Sequence, residues 1–165
     1  MPEPNSKTDK LRKASDHLWY EIWMFQSLEP GMASDIAGRG VMANALLESF
    51  AIHVRALIHF FYADSRQRDD VLAEDFFEDP SAWRSRRPAK TSVLTSAKKR
   101  ADKEVAHLTY SRQKVTPDKK PWHYIPIYDD LQATIAAFFN LVPGRLLGER
   151  WADTTSHTRS RNGAA

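Results

Sequence analysis

Four segments of the chain carry apolar residues at the spacing of three or four positions that gives a helix one buried face. No stretch of useful length alternates between apolar and polar residues, so the pattern predicts no strands. Four helices with short connections are typical of an antiparallel bundle. We therefore predict an all-α fold, an antiparallel bundle of four main helices with short extra helical turns. The four helices are expected over about residues 8–28, 34–62, 91–112 and 126–142.

The second predicted helix is the longest and the most apolar, and it should be the central one. Its apolar face runs from Met42 to Phe61. A helix over the whole segment would be about 40 Å long, enough to span a small domain. Its start has two interpretations, because Ser34 is a plausible N-cap whereas Gly40 favours a later start near Val41.

The connections are predicted from their helix-breaking residues. Glu29-Pro30-Gly31 should end the first helix. Residues 71–77 should form one or two short helical turns. Residues 78–90 contain two prolines and are expected to be a loop, which Trp83 anchors to the core. Leu146, Leu147 and Trp151 are expected to pack as a short extra turn.

Composition sets the broad class of the protein. The chain has 165 residues, 42% of them apolar, and no cysteine, which excludes disulfides and thiol catalysis. We expect a single domain over residues 1–151 and a disordered polar tail over 152–165. The polar N-terminus predicts no signal peptide, and no apolar run approaches the ~20 residues of a membrane span. The expected location is the cytoplasm, with no membrane contact.

The charge is unevenly distributed along the chain. Residues 84–120 contain twelve basic residues and three acids, whereas 64–79 contain seven acids and two arginines. Such an asymmetry predicts an anionic partner for one face. The alternative is a solvated helix flanked by basic loops. The cations that we expect to contact nucleic acid are Arg84, Arg86, Arg87, Lys98, Lys99, Lys103 and Arg112.

A row of polar residues interrupts the apolar second helix. Asn44, Glu48, Arg55 and His59 lie near one line, since they are separated by one, two and one helical turns. Charged groups on a central helix must be paired, solvated or used in function. The row therefore predicts either a secondary functional cluster or a Glu48–Arg55 ion pair with His59 at the edge of the bundle.

The third predicted helix carries a candidate catalytic pair. Arg100 and His107 are two turns apart, so their side chains emerge on the same side. An arginine that holds a phosphate beside a histidine that moves a proton is suited to RNA strand cleavage without a metal. The alternative is an exposed face with an Arg100–Glu104 contact. Only one Glu-x-x-His motif, from Glu104 to His107, is present, and no phosphate loop, so we predict no metal and no cofactor.

The segment from Arg100 to His107 resembles the R-x(4–6)-H motif of the HEPN superfamily. The resemblance implies a compact helical bundle, often dimeric, of a kind found in RNases of toxin–antitoxin and antiviral systems, and it implies catalytic roles for Arg100 and His107. This chain has Ala101 where the commonest HEPN form has a polar residue, and many HEPN domains are non-catalytic. Residues 46–61 and 106–109 also resemble a set of uncharacterised bacterial helical proteins, a likeness that implies no activity.

Two functional classes follow from these features. The first is an RNA-directed, HEPN-like domain, either a metal-independent endoribonuclease or an RNA-binding domain. The second is a non-enzymatic bundle that acts through homodimerisation or a protein partner. A homodimer is expected in either class, because the second helix is apolar over more than one face.

Overall fold

The computed structural model describes residues 6–33, 40–105, 110 and 122–151. Across these residues it is helical and has no strand, so the predicted all-α bundle is confirmed. The helices are α1 (Lys7–Ala33), α2 (Val41–Tyr62), α3 (Pro80–Arg86), α4 (Ser92–Arg100) and α5 (Tyr124–Leu141). Short 3-10 turns cover Ala73–Phe76 and Gly144–Leu146, and a π turn, Ala101–Val105, continues α4.

Helix α2 is the centre of the bundle and contacts α1, α4 and α5. Its side chains from Phe50 to Phe61 supply much of the core, whereas Met42 is 66% exposed, so the first turn of the predicted face is not buried. Gly40 directly precedes the helix with a φ of +104°, a conformation that favours glycine. The later of the two predicted starts is therefore confirmed, and residues 34–39 lie outside the described ranges.

Phe138 of α5 lies at the centre of an aromatic cluster. It is fully buried, and its ring meets those of Phe61, Phe76 and Trp83 edge-on, with centroids 5.5–5.6 Å apart. Trp83 also donates from its indole N–H to the carbonyl of Phe61 at 3.1 Å. Trp83 therefore anchors its segment to the core, as the sequence predicted.

The prediction that residues 78–90 form a loop is wrong, because they contain α3. Pro80 occupies the first position of this helix, where a missing N–H does no harm. Asp79 caps the helix, and its carboxylate accepts from the backbone N–H of Ser81 at 2.9 Å. A proline inside a polar segment is typical of a loop, but Pro80 stands at a position where helices favour it.

Glu29-Pro30-Gly31 does not end the first helix, and α1 continues to Ala33. Pro30 removes one backbone donor, but the last turn still packs inward. Met32 lies against the core, and a Cβ on Gly31 would be 3.7 Å from Leu46 of α2. Packing between α1 and α2 therefore outweighs the lost hydrogen bond.

The last described residues form hydrogen bonds with Ser15 of α1. The N–H of Gly148 donates to the Ser15 hydroxyl at 2.7 Å, and the indole N–H of Trp151 donates to the Ser15 carbonyl at 3.0 Å. Leu146 and Trp151 are each 8% exposed and Leu147 packs beside them, which confirms the predicted C-terminal packing. The expected tail, 152–165, lies outside the described residues.

Two further expectations need adjustment. Helix α4 ends at Arg100 and reaches Val105 only as a π turn, and most of the remainder of the predicted helix to residue 112 lies outside the described ranges. The expectation that no segment resembles a membrane span was too strict, since α2 has the length and a mean hydropathy of 1.4. The core helix of a soluble protein shares both properties, so they neither support nor oppose membrane contact.

Candidate functional site

A groove of about 620 Å³ lies between the C-terminal half of α2, the 64–71 loop and one side of α4. Charged side chains of both signs line it, namely Arg55 from α2, Lys90 from the segment before α4 and Lys98 from α4, together with the acids Asp64 and Asp70 of the loop. His59 faces the same space one turn beyond Arg55. We name this feature, defined by Arg55, His59, Lys90 and Lys98, the cationic groove.

Arg55 and Lys98 converge on a single carboxylate, that of Asp102. The Lys98 ammonium donates to Asp102 at 2.8 Å, and the Arg55 Nε donates to the other oxygen. Burial alone would raise the pKa of Asp102, but the hydrogen bonds from Lys98 and Arg55 bring it below its ordinary value of 3.8. Two cations thus share one anion, and the cluster keeps a net charge of +1.

His59 is paired with Asp70 across the groove. The distance between the Nε2 of His59 and the carboxylate of Asp70 is 2.9 Å. The backbone N–H of Gln67 donates to the same oxygen at 2.8 Å, and this bond, followed by that to His59, lowers the pKa of Asp70. An ionised carboxylate at Nε2 favours the tautomer with the proton on that nitrogen, which leaves Nδ1 as the acceptor.

The groove is also lined by a weak ion pair between Lys90 and Asp64 and by the uncharged side chain of Tyr62. Lys90 lies 3.7 Å from Asp64, whose side chain is 91% exposed, so this pair is weak. Tyr62 is buried, and burial raises the pKa of its phenol. Its O–H therefore stays protonated and donates to the carbonyl of Pro88 at 3.1 Å.

The predicted polar row of α2 is divided by the structure. Arg55 and His59 line the cationic groove, whereas Asn44 and Glu48 are exposed near the start of the helix and do not line it. The predicted Glu48–Arg55 pair is wrong. Packing of α4 against α2 presents Asp102 to the arginine, and this tertiary partner replaces the one two turns away.

The predicted catalytic pair is only half described. Arg100 holds Glu104 through two nitrogens at 2.9–3.2 Å, which confirms the Arg100–Glu104 contact predicted as the alternative. Its guanidinium also lies over the ring of Trp122 and lines a second cleft, not the cationic groove. His107 lies outside the described residues, so its distance from Arg100 stays a prediction.

The cations predicted to contact nucleic acid have different surroundings. Arg84 pairs with Glu74 at 2.7 Å, and Arg87 donates to the carbonyl of Phe61 at 2.6 Å. The basic segment therefore meets the acidic 64–79 segment in space, which reduces the charge asymmetry seen along the chain. Lys98 joins the Asp102 cluster, Arg86, Lys99 and Lys103 are exposed, and Arg112 lies outside the described residues.

Sequence reasoning missed the two acids that organise the groove. Asp102 follows Lys98 by four positions, a spacing that brings side chains together on a helix and was therefore readable. Asp70 belongs to a polar loop, and only the folded path of that loop brings it to His59. Nothing in the local sequence marks that contact.

Neither a metal cluster nor a known relative adds to this description. Within residues 6–33, 40–105 and 122–151, no group of three or more His, Asp or Glu side chains is placed to hold a metal ion. No protein-family model, curated protein or solved structure matches the chain.

Proposed function

We propose that this bundle is an RNA-directed domain whose cationic groove binds backbone phosphates. The observation that carries the proposal is the convergence of Arg55 and Lys98 on one carboxylate, Asp102. The residual positive charge of this cluster faces a groove rather than the core. Lys90, whose only carboxylate partner among the described residues is the exposed Asp64, adds a second cation that can turn to a phosphate.

A cation of the groove can exchange its carboxylate partner for a phosphate at a small cost in free energy. Exposed ion pairs contribute about 0–1 kcal/mol each. Charge-assisted hydrogen bonds from arginine to phosphate are stronger than neutral ones and are often bidentate. The side chain of Arg55 is 46% exposed, so its guanidinium can bind a phosphate while Lys98 keeps Asp102 neutralised.

The reaction that fits the groove is metal-independent strand cleavage. In this scheme Nδ1 of His59 takes the proton of a ribose 2′-hydroxyl, and the 2′-oxygen attacks the adjacent phosphorus. The bond from phosphorus to the 5′-oxygen breaks, the leaving oxygen takes a proton from water, and the imidazolium returns its proton to solvent. The products are a 2′,3′-cyclic phosphate and a 5′-hydroxyl. Arg100 and His107 form the alternative pair for the same chemistry, as the HEPN resemblance implies.

An RNA cleavage assay with matched histidine variants tests this proposal. We expect wild-type protein to cleave single-stranded RNA in the presence of a chelator and to leave the 2′-deoxy analogue intact. His59→Asn should abolish cleavage but not binding, whereas His17→Asn, on the exposed side of α1, should change neither. Loss in His107→Ala with retention in His59→Asn would move the reaction to the Arg100–His107 pair. Absence of RNA binding at low salt would reject the RNA-directed function.

A second candidate function is homodimerisation through apolar surface on α1 and α2. Val41 and Met42 at the start of α2 are 83% and 66% exposed, and Tyr20 and Trp23 on α1 are 43% and 47% exposed. Exposed apolar side chains that form one contiguous patch favour a protein partner. Sedimentation at micromolar concentration should give a dimer that Met42→Lys dissociates, and a monomeric wild type would rule this candidate out.

A further inference from the structure

A second cleft, of about 260 Å³, lies between α4 and α5 on the other side of α4 from the cationic groove. Its lining includes one aromatic ring, one guanidinium, two hydroxyls and an apolar floor. These are contributed by Trp122, Arg100, Ser92, Ser96 and Ile127, and His123 stands at the edge. We propose that this cleft binds an unstacked nucleobase of the strand whose phosphates lie in the cationic groove, an inference that rests on the proposed function.

The lining suits a flat heteroaromatic ligand better than a phosphate. Ile127 is 5% exposed, and the wall beside it is formed by Val93 and Ala97, so the floor offers no charge. Single-stranded RNA is commonly held by stacking its bases on aromatic side chains and bonding their edges. Ser92 and Ser96, which are both exposed on α4, supply hydroxyls that can donate or accept at a base edge.

Arg100 holds the aromatic wall in place. Its guanidinium carbon lies 4.5 Å from the centre of the Trp122 ring, a cation–π contact. The Glu104 carboxylate accepts hydrogen bonds from Nε and Nη2 of the same guanidinium at 2.9–3.2 Å. The charge of Arg100 is therefore already neutralised, and its role in the cleft is to position Trp122 for stacking.

The cleft and the groove lie on opposite sides of α4. Lys98 lines the groove, whereas Ala97 and Arg100 line the cleft, so the two sites are separated by about one helix diameter, ~10 Å. At ~100° per residue, the exposed Lys99 projects between them on the outer face of α4. A strand that leaves the groove can cross this lysine before it places a base in the cleft.

The test compares a short oligoribonucleotide with an abasic oligomer of the same length and charge. Stacking of one base predicts that wild-type protein binds the abasic oligomer roughly 5- to 100-fold more weakly. Trp122→Ala should remove that difference and leave the affinity for the abasic oligomer unchanged, while Trp122→Phe should keep most of it. Equal binding of the two oligomers by wild type, or an equal loss of both in Trp122→Ala, would overturn the proposal.

A second variant avoids disturbing the core, against which Trp122 packs. Ser96→Leu fills the cleft from an exposed helical position and should also remove the discrimination, whereas Thr95→Leu, the exposed neighbour outside the cleft, should preserve it. Discrimination that survives Ser96→Leu contradicts a base in this cleft. Failure of both oligomers to bind at low salt would instead refute the RNA-directed function itself, so the two failures are distinguishable.

Discussion

Arg55 and Asp102 stand 47 positions apart in the chain, yet their side chains form an ion pair that joins α2 to the π turn after α4. Lys98 holds the second oxygen of the same carboxylate. Asp102 is therefore the internal competitor of any phosphate that enters the cationic groove. If Arg55 and Lys98 face phosphate, removing the Asp102 charge should strengthen RNA binding. An ion pair with only a structural role predicts no such gain.

Replacing Asp102 with asparagine should strengthen RNA binding. The substitution keeps the size of the side chain but releases Arg55 and Lys98 from their shared anion. One unit charge about 4 Å away is worth ~1 kcal/mol in water, so we expect roughly fivefold tighter binding at low salt. Asp129→Asn makes the same charge change at an exposed position of α5 and should have a much smaller effect. Unchanged or weaker binding by Asp102→Asn would count against the groove.

The same carboxylate makes stability depend on acid pH. The pKa of Asp102 in the folded state lies below its ordinary value of 3.8, because the bonds from Lys98 and Arg55 outweigh burial. Its contribution to the free energy of unfolding is therefore complete above about pH 3.8 and is lost as the pH falls through the folded-state pKa. Urea unfolding should show wild type more stable than Asp102→Asn at neutral pH. That gap should close on acidification, and a gap independent of pH would contradict the assignment.

Phe138 should be among the most sensitive positions of the core. It is fully buried at the centre of the aromatic cluster, so Phe138→Ala should lower the free energy of unfolding by about 3–5 kcal/mol. Ile125→Ala, near the start of the same helix and 57% exposed, should change it by less than ~0.5 kcal/mol. Denaturant titration of both variants measures the difference. Similar losses in the free energy of unfolding of the two variants would contradict the central position of Phe138 in the core.

The turn before α2 can be tested by replacing Gly40 with alanine. Gly144, a glycine elsewhere in the chain with an ordinary backbone conformation, serves as the control. Gly40 has a φ of +104°, so Gly40→Ala should strain the backbone and destabilise the fold by about 1–3 kcal/mol. Gly144 has a negative φ, and a Cβ there would meet nothing within 4 Å. Gly144→Ala should therefore be neutral or stabilise by up to ~1 kcal/mol. A neutral Gly40→Ala in thermal or urea unfolding would argue against this turn.

Periodicity was enough to predict the class of the fold and its central helix. The apolar spacing of α2 identified Leu57 and Phe61 as core residues because a long helix repeats its buried face many times. Single breaking residues were less informative. Pro30 lies inside α1 and Pro80 begins α3, since the effect of a proline depends on its position in a helix and on packing that the local sequence does not contain.

The candidate site was only partly predictable for a similar reason. Arg55 and His59 were singled out because polar residues on an apolar helix need an explanation. Their partners, Asp102 and Asp70, reach them through the packing of α4 and the path of a loop. A carboxylate brought in by tertiary structure carries no periodic signal.

The salt dependence of RNA binding tests the central claim most directly. Each contacted phosphate of a single strand contributes about −0.7 to the log–log slope, so the two cations that turn to phosphates, Arg55 and Lys90, should contribute roughly −1.4. Replacing Arg55, Lys90 and Lys98 with glutamine should weaken binding at low salt and reduce the slope by about that amount. Replacing the exposed Lys7, Lys10 and Lys13 of α1 removes the same charge and should have a much smaller effect. Equal affinities and slopes for the two triple variants would contradict a phosphate-binding groove.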